Sequence, residues 1–94
     1  MKPLPKWSIV FTRQAEKEFS KLNRREQNDI YAYLSQRLLE RDDPRDLGKP
    51  LKGRLSEYWR YRVGDYRVIC KIEDQEVVIL VVRIAHRKDA YLEH

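Results

Sequence analysis

The sequence predicts an α+β domain in which an antiparallel sheet, made of an N-terminal strand and a C-terminal three-stranded meander, packs against an N-terminal helical hairpin. Two observations predict this class. Apolar residues recur at helical spacing in the first half of the chain, and in the second half they alternate or run together in short segments. A chain of 94 residues without an internal repeat is the size of a single domain with one core.

The first half contains a short strand and two helices. Residues 7–11 (WSIVF) have the composition of a strand, and Thr12 follows as an N-cap residue. A second helix begins at Asn23, with Glu26 in capping-box position, and it must end near Pro44. The two apolar stripes at helical spacing are Ala15, Phe19 and Leu22, then Ile30, Leu34 and Leu38.

The second half has the period of a strand after an irregular, basic connector over residues 44–56. Turns at Gly64-Asp65 and around Asp74-Gln75 separate three segments rich in Val, Ile and Tyr, at 57–63, 66–73 and 76–84. The run VVILVV at 77–82 is apolar on both faces. This pattern predicts an internal strand that the N-terminal strand can flank.

The Gly64-Asp65 turn determines how the first two of these strands pair. A two-residue type II′ turn with Gly first places Val63 opposite Tyr66 and Arg62 opposite Arg67. Because side chains alternate across a strand, the core face carries Trp59, Tyr61, Val63, Tyr66, Val68, Cys70 and Ile72. The opposite face carries Tyr58, Arg60, Arg62, Arg67 and Lys71.

Two arginines directly across from each other repel, so a compensating group is expected. A phosphate would compensate, because the planar fork of an arginine matches its oxygens. The alternative is a solvated strand whose arginines are screened by salt or paired with Glu57 and Asp65.

Counting residue pairs along the second and third of these strands also predicts where the last strand ends. If Ile72 pairs with Val77, Arg67 faces Val82, and residues 84–87 come out beside the Gly64-Asp65 turn. His86 and Arg87 should then approach Arg62 and Arg67. An isolated histidine is more often a surface or capping residue than a catalytic base.

Composition narrows the function classes. Twenty Lys and Arg against fifteen Asp and Glu give a net charge of +5, which favours a polyanionic partner such as nucleic acid.

No apolar run approaches the roughly 18 residues of a membrane span, and no signal peptide is predicted. A single cysteine, Cys70, excludes an internal disulfide and suits a reducing cytoplasm. Residues 92–94 have the sequence of an expression-tag remnant.

Known catalytic motifs are not recognisable. One cysteine, one credible histidine and no carboxylate cluster do not make a usual zinc site. A Walker-type phosphate loop and a Ser-His-Asp arrangement are also not recognisable, so no metal or other cofactor is expected. Any chemistry must come from cations, one imidazole and phenols.

From Trp7 to Tyr91 the chain resembles the RelE/ParE superfamily, the toxin halves of bacterial type II toxin–antitoxin pairs. The resemblance rests on KPLKG at 49–53, YWRYRVGDYRVICKI at 58–72 and IAHRKDAY at 84–91. It implies a RelE-like fold and a ribosome-dependent, metal-independent endoribonuclease that cleaves mRNA by attack of a 2′-OH on the adjacent phosphate. The alternative is a ParE-like protein that binds and inhibits DNA gyrase without hydrolysis. A RelB-like antitoxin, forming a hetero-oligomer with the toxin, is the implied partner beside the ribosome and mRNA.

The resemblance also implies residue roles. Arg67 matches the strand arginine that RelE-type enzymes place on the scissile phosphate, Arg87 their C-terminal arginine and Tyr91 their terminal tyrosine. His86 is the group best suited to proton transfer near neutral pH. The basic residues expected to bind RNA are Lys49, Lys52, Arg54, Arg60, Arg62 and Lys71.

Two positions depart from the family pattern. Tyr58 stands where some members have lysine, and Lys49 stands where others have a glutamate base. The general base therefore stays open between His86 and a lysine, Lys49 or Lys52, whose pKa the cationic cluster would have to depress.

Overall fold

A computed structural model describes residues 6–89, which form a five-stranded sheet with two α-helices on one face. Tyr91 and the predicted tag remnant lie outside the described residues. In chain order the elements are β1 (Ser8–Phe11), α1 (Arg13–Ser20), α2 (Arg24–Ala32), β2 (Lys49–Pro50), β3 (Tyr58–Val63), β4 (Tyr66–Glu73) and β5 (Val78–His86). Within this part of the chain no helix is long and apolar enough to cross a bilayer.

Both helices begin at the predicted cap residues. Thr12 Oγ1 accepts a hydrogen bond from the Ala15 amide at 3.1 Å. Asn23 and Glu26 form a capping box, in which Glu26 N donates to Asn23 Oδ1 at 2.8 Å and Asn23 N donates to Glu26 Oε1 at 3.1 Å. After α2 the chain stays helical with a π-helical pattern over Tyr33–Leu38. The predicted helical hairpin is therefore present.

The strand order is β1-β5-β4-β3-β2. β1 pairs with β5 in parallel, from Ser8 opposite Val78 to Phe11 opposite Val81, so the sheet is mixed rather than fully antiparallel. The apolar run of β5 is typical of a strand with neighbours on both sides, as predicted. The two-residue strand β2 lies inside the predicted irregular connector and pairs with β3 at the edge of the sheet.

The β3–β4 hairpin has the predicted register. Val63 lies opposite Tyr66, and Arg62 lies opposite Arg67. Gly64 has a φ of 59°, whereas Asp65, which follows it, has no positive φ. This combination is that of a type II′ turn, in which the first central position needs a glycine.

The β4–β5 register differs from the prediction, first at the turn. Ile72 pairs with Ile79 rather than with Val77. The chain uses four residues to reverse, from Asp74 to Val77, and Val77 has a φ of 55°. The longer turn shifts the pairing by two residues.

A β-bulge in β5 shifts the register by one more residue. Cys70 pairs with Val81 and Ile69 pairs with Arg83, so Val82 is an extra residue in β5. Because side chains alternate with a period of two, one extra residue exchanges the two faces for everything that follows it.

The core lies between the helices and the predicted face of the sheet, which carries Trp59, Tyr61, Val63, Tyr66, Val68, Cys70 and Ile72. Tyr61 is fully buried, and its hydroxyl donates to Pro44 O at 2.7 Å. A Cβ at Gly48 would lie 2.8 Å from the Tyr61 ring. The connector thus passes close against this ring, and only glycine fits without displacing it.

Candidate functional site

Four arginines meet on the sheet face that the helices leave uncovered. Arg60 and Arg62 come from β3, Arg67 from β4 and Arg87 from the residue after β5. Desolvation lowers the pKa of Arg67, and the positive charges of Arg62, Arg60 and Arg87 lower it further. We call this surface the arginine face. So many cations within electrostatic reach of one another suit a polyanion.

The hairpin turn holds the Arg67 guanidinium. Its Nη1 donates to Gly64 O at 3.1 Å and to Tyr66 O at 3.0 Å. Both bonds use a single nitrogen of a planar group that has five N–H donors. Nε and Nη2 therefore remain to donate side by side to the oxygens of a phosphate.

Arg87 completes the cluster from the other side of Arg67. Its amide donates to Asp65 O at 2.7 Å, and its Nη1 lies 3.9 Å from Asp65 Oδ1. These contacts tie the end of β5 to the hairpin turn. The charge of Arg87 lowers the pKa of Arg67, which is consistent with the prediction that the two side chains approach each other. The predicted pairing differs, because Arg67 lies opposite Ala85 rather than opposite Val82.

His86 lies on the opposite face of the sheet. It pairs with Tyr66, a residue of the core face, and the two rings meet edge to face with centroids 5.5 Å apart. The bulge at Val82 is the cause, since it exchanges the faces of the residues that follow. The expectation that His86 approaches Arg62 and Arg67 is therefore wrong.

Lys49 belongs to the arginine face. It pairs with Arg60 across β2 and β3, and paired residues share one side of a sheet. Lys52 and Arg54 lie in the exposed turn between β2 and β3. That turn is at the other end of β3 from Arg62, so these two side chains could reach only a more distant part of a long ligand.

Carboxylates compensate some cations of this face. The alternative interpretation expected Glu57 and Asp65 to pair with arginines; Asp65 lies near Arg87, whereas Glu57 pairs with Lys71. Lys71 lies opposite Tyr58, and its Nζ is 3.4 Å from Glu73 and 3.7 Å from Glu57. The charges of Glu73 and then Glu57 raise the pKa of Lys71. A raised pKa keeps Lys71 protonated, so it is not a candidate for the general base.

The helix side of the sheet offers a different environment. An open cavity of about 350 Å³ lies between α2 and the hairpin turn, and Glu26, Asp29 and Asp65 are among its lining residues. Three carboxylates against the one cation of Arg25 give this cavity a net negative charge, which disfavours a phosphate. Within residues 6–89 no group of His, Cys, Asp and Glu side chains is arranged to hold a metal ion.

A partly buried ion pair beside the arginine face was not predicted from the sequence. Arg83 Nε donates to Glu18 Oε2 at 2.8 Å, and the Ile84 amide donates to Glu18 Oε1 at 2.7 Å. Arg83 itself was the available signal, because a charge interrupts the apolar run of β5. Its partner in α1 could not be found by counting along the strand.

The family model of the ParE toxin of type II toxin–antitoxin systems, parDE, matches residues 9–91. The chain belongs to the RelE/ParE toxin superfamily. Toxin RelG of Mycobacterium tuberculosis is 28% identical to this toxin over 85 residues, which are 90% of this chain and 95% of that protein. Toxin RelE of the same organism is 38% identical over 50 residues, 53% of this chain and 52% of that protein.

Solved structures share the fold. The toxin–antitoxin complex RelBE2 from Mycobacterium tuberculosis contains a chain that superposes on this toxin with a TM-score of 0.79 and 28% identity, covering 94% of this chain and 98% of that one. The isolated E. coli RelE toxin superposes with a TM-score of 0.69 and 20% identity, covering 85% and 83%. The predicted RelE-like α+β fold is confirmed.

Proposed function

We propose that this toxin is a ribosome-dependent endoribonuclease that cleaves mRNA without a metal cofactor. The observation that carries the proposal is the arginine face around Arg67, where the guanidinium fork is held in place by the hairpin turn. In the reaction the 2′-oxygen of one nucleotide forms a bond to the adjacent phosphorus, and the bond from phosphorus to the 5′-oxygen breaks. The products are a 2′,3′-cyclic phosphate and a 5′-hydroxyl.

Charge stabilisation is the main contribution we assign to the protein. RNA supplies its own nucleophile, so the enzyme has to align it and stabilise the extra negative charge of the phosphorane. Arg67 and Arg87 are assigned to the reacting phosphate, because arginine stays protonated and offers paired donors. Arg60 and Arg62 are assigned to the neighbouring phosphates, with Lys52, Arg54 and Lys71 farther along the RNA.

Proton transfer needs a group on the arginine face. Lys49 is the candidate base that shares this face. Tyr91, four residues beyond Arg87, is the predicted second group and lies outside the described residues. His86 Nδ1 accepts a hydrogen bond from the Lys88 amide at 3.2 Å on the other side of the sheet. Its role in catalysis stays a prediction that requires the end of β5 to move.

The shape of the site supports dependence on the ribosome. The arginine face is a sheet surface and not an enclosed cleft, so it cannot by itself restrict a flexible RNA strand to a reactive geometry. Alignment of the reactants is worth several powers of ten in rate. We assign this alignment to the ribosome, and we expect free RNA to be a poor substrate.

We also propose a RelB-like antitoxin as the partner of this toxin. The structurally similar chains include toxins in RelB–RelE complexes from E. coli, Pyrococcus horikoshii and Methanococcus jannaschii. An acidic or apolar segment that folds on the toxin could neutralise the arginine face and form a hetero-oligomer.

Inhibition of DNA gyrase is the second candidate, because the family model that matches residues 9–91 is that of ParE. The two functions are separated by one pair of assays. The purified toxin is added to ribosomes programmed with a defined mRNA, and the 5′ ends and the cyclic phosphate are mapped; in parallel it is added to gyrase with relaxed plasmid. Cleavage inside the ribosome with normal supercoiling supports the proposal, and inhibited supercoiling with intact mRNA refutes it.

A further inference from the structure

Helix α1 holds β5 on both sides of the bulge. At the start of the helix, the Thr12 amide donates to Val81 O at 2.9 Å, and Thr12 Oγ1 donates to Val82 O at 3.3 Å. Near its end, the two carboxylate oxygens of Glu18 accept hydrogen bonds from Arg83 Nε at 2.8 Å and from the Ile84 amide at 2.7 Å. The extra residue of β5 is thus bracketed by contacts from a single helix.

Glu18 accepts a hydrogen bond from a β5 amide that would otherwise need a neighbouring strand as its partner. β1 pairs with β5 only as far as Phe11 opposite Val81, and no other strand among residues 6–89 pairs with that edge of β5 beyond this point. The Ile84 side chain is only 3% exposed, and an amide left unpaired beside it would be costly. The Glu18 side chain is 14% exposed, and its bonds to Ile84 and Arg83 are charge-assisted, which makes them stronger than neutral ones.

The position of this contact matters for the arginine face. Ile84 precedes Arg87 by three residues, and the bulge determines that Arg87 comes out on the side of Arg67. In an unbroken strand the alternation would turn Arg87 to the helix side, into the neighbourhood of the acidic cavity. A contact that holds the strand immediately after the bulge therefore acts on where Arg87 lies.

We propose that Glu18 is a positioning residue: it holds the bulged end of β5 so that Arg87 stays beside Arg67. The catalytic consequence rests on the proposed endoribonuclease function, whereas the structural consequence does not. Burial of Ile84 and the bond from the Arg87 amide to Asp65 favour the same register. Loss of Glu18 should therefore loosen the end of β5 without unfolding the domain.

The first test is kinetic and uses Glu18→Ala, Glu18→Gln and the control Glu16→Ala, which changes an exposed carboxylate of the same helix. Glu18→Ala should lower the rate of mRNA cleavage about 10- to 100-fold through kcat, since small misplacements of a catalytic group cost up to that much. KM should change little, because Arg60, Arg62 and Arg67 still bind RNA. Glu18→Gln retains an acceptor for the Ile84 amide and should recover most of the rate.

A double-mutant cycle with Arg87→Ala tests whether Glu18 acts through Arg87. If it does, adding Glu18→Ala to Arg87→Ala should lower the rate no further, because the group being positioned is already absent. Independent, multiplicative losses would refute the positioning role and indicate a general structural effect.

Amide hydrogen exchange tests the same inference without any assay of function. In Glu18→Ala the amides of Ile84 and Arg87 should exchange faster, while the amide of Val68 in the centre of the sheet should be unchanged. Unchanged exchange at Arg87 would overturn the proposal. If the wild-type toxin proved not to cleave mRNA, the proposed function would fail, and the exchange result alone would still decide whether Glu18 positions Arg87.

Discussion

Replacing Arg67 with alanine should lower the rate of mRNA cleavage about 10²-fold or more while the domain stays folded. Arg67 can offer its Nε and Nη2 donors to the reacting phosphate, because its two bonds to the turn use Nη1 only. Two charge-assisted hydrogen bonds at about 1.5 kcal/mol each sum to about 3 kcal/mol. Since about 1.4 kcal/mol corresponds to a tenfold change in rate, the loss is about 10²-fold.

Folding should survive this change for an electrostatic reason. The side chain lies on the face that the helices leave uncovered, and desolvation, followed by repulsion from the neighbouring arginines, lowers its pKa. Removing the cation therefore relieves repulsion from Arg62 and Arg60. The two backbone oxygens that lose a donor are at the exposed hairpin turn, where water can replace it.

The assay is single-turnover cleavage of a defined mRNA on programmed ribosomes. Arg24→Ala is the matched control, because it removes the same charge from an exposed position in α2. Arg67→Lys retains the charge but not the fork, and it should fall between wild type and alanine. A folded Arg67→Ala protein that cleaves at the wild-type rate would refute the role of Arg67 in the mechanism.

Three further outcomes follow from the structure. Sulfate should bind at the arginine face and therefore raise the Tm more than chloride does at equal ionic strength. This gain in Tm should be smaller in Arg62→Ala. An equal gain in wild type and Arg62→Ala would reflect only the exclusion of sulfate from the protein surface. Tyr61→Phe leaves the buried Pro44 carbonyl without its donor, so the free energy of unfolding, measured in urea, should fall by about 1–3 kcal/mol, and an unchanged midpoint would contradict the role of this bond. Hydrogen bonding to Arg45 lowers the pKa of Asp74, so the Asp74–Arg45 contact stabilises the fold above the ordinary carboxyl pKa, and this stabilisation is lost as the pH falls through the lowered pKa. The urea midpoints of wild type and Asp74→Asn should therefore converge in acid. A constant difference between the two midpoints down to about pH 2 would contradict this role of Asp74.

Local rules in the sequence determine the helix starts, the hairpin and the core face. The caps at Thr12 and Asn23 each depend on contacts within three residues, so they can be predicted by inspection. The Gly64 turn is equally local, and it brings Arg62 and Arg67 together by counting alone. Most of the arginine face follows from this one turn.

Contacts between residues distant in sequence decided the direction of β1, the presence of β2 and the bulge in β5. The parallel direction of β1 and the strand β2 depend on which edge of the sheet is left to pair, and the pattern of apolar residues does not specify this. The residue range after the bulge in β5 is held by burial of Ile84 and by the bond from its amide to Glu18, which is 66 residues away in the chain. Because one extra residue exchanges the two faces of a strand, the bulge places Arg87 on the arginine face and His86 on the opposite one.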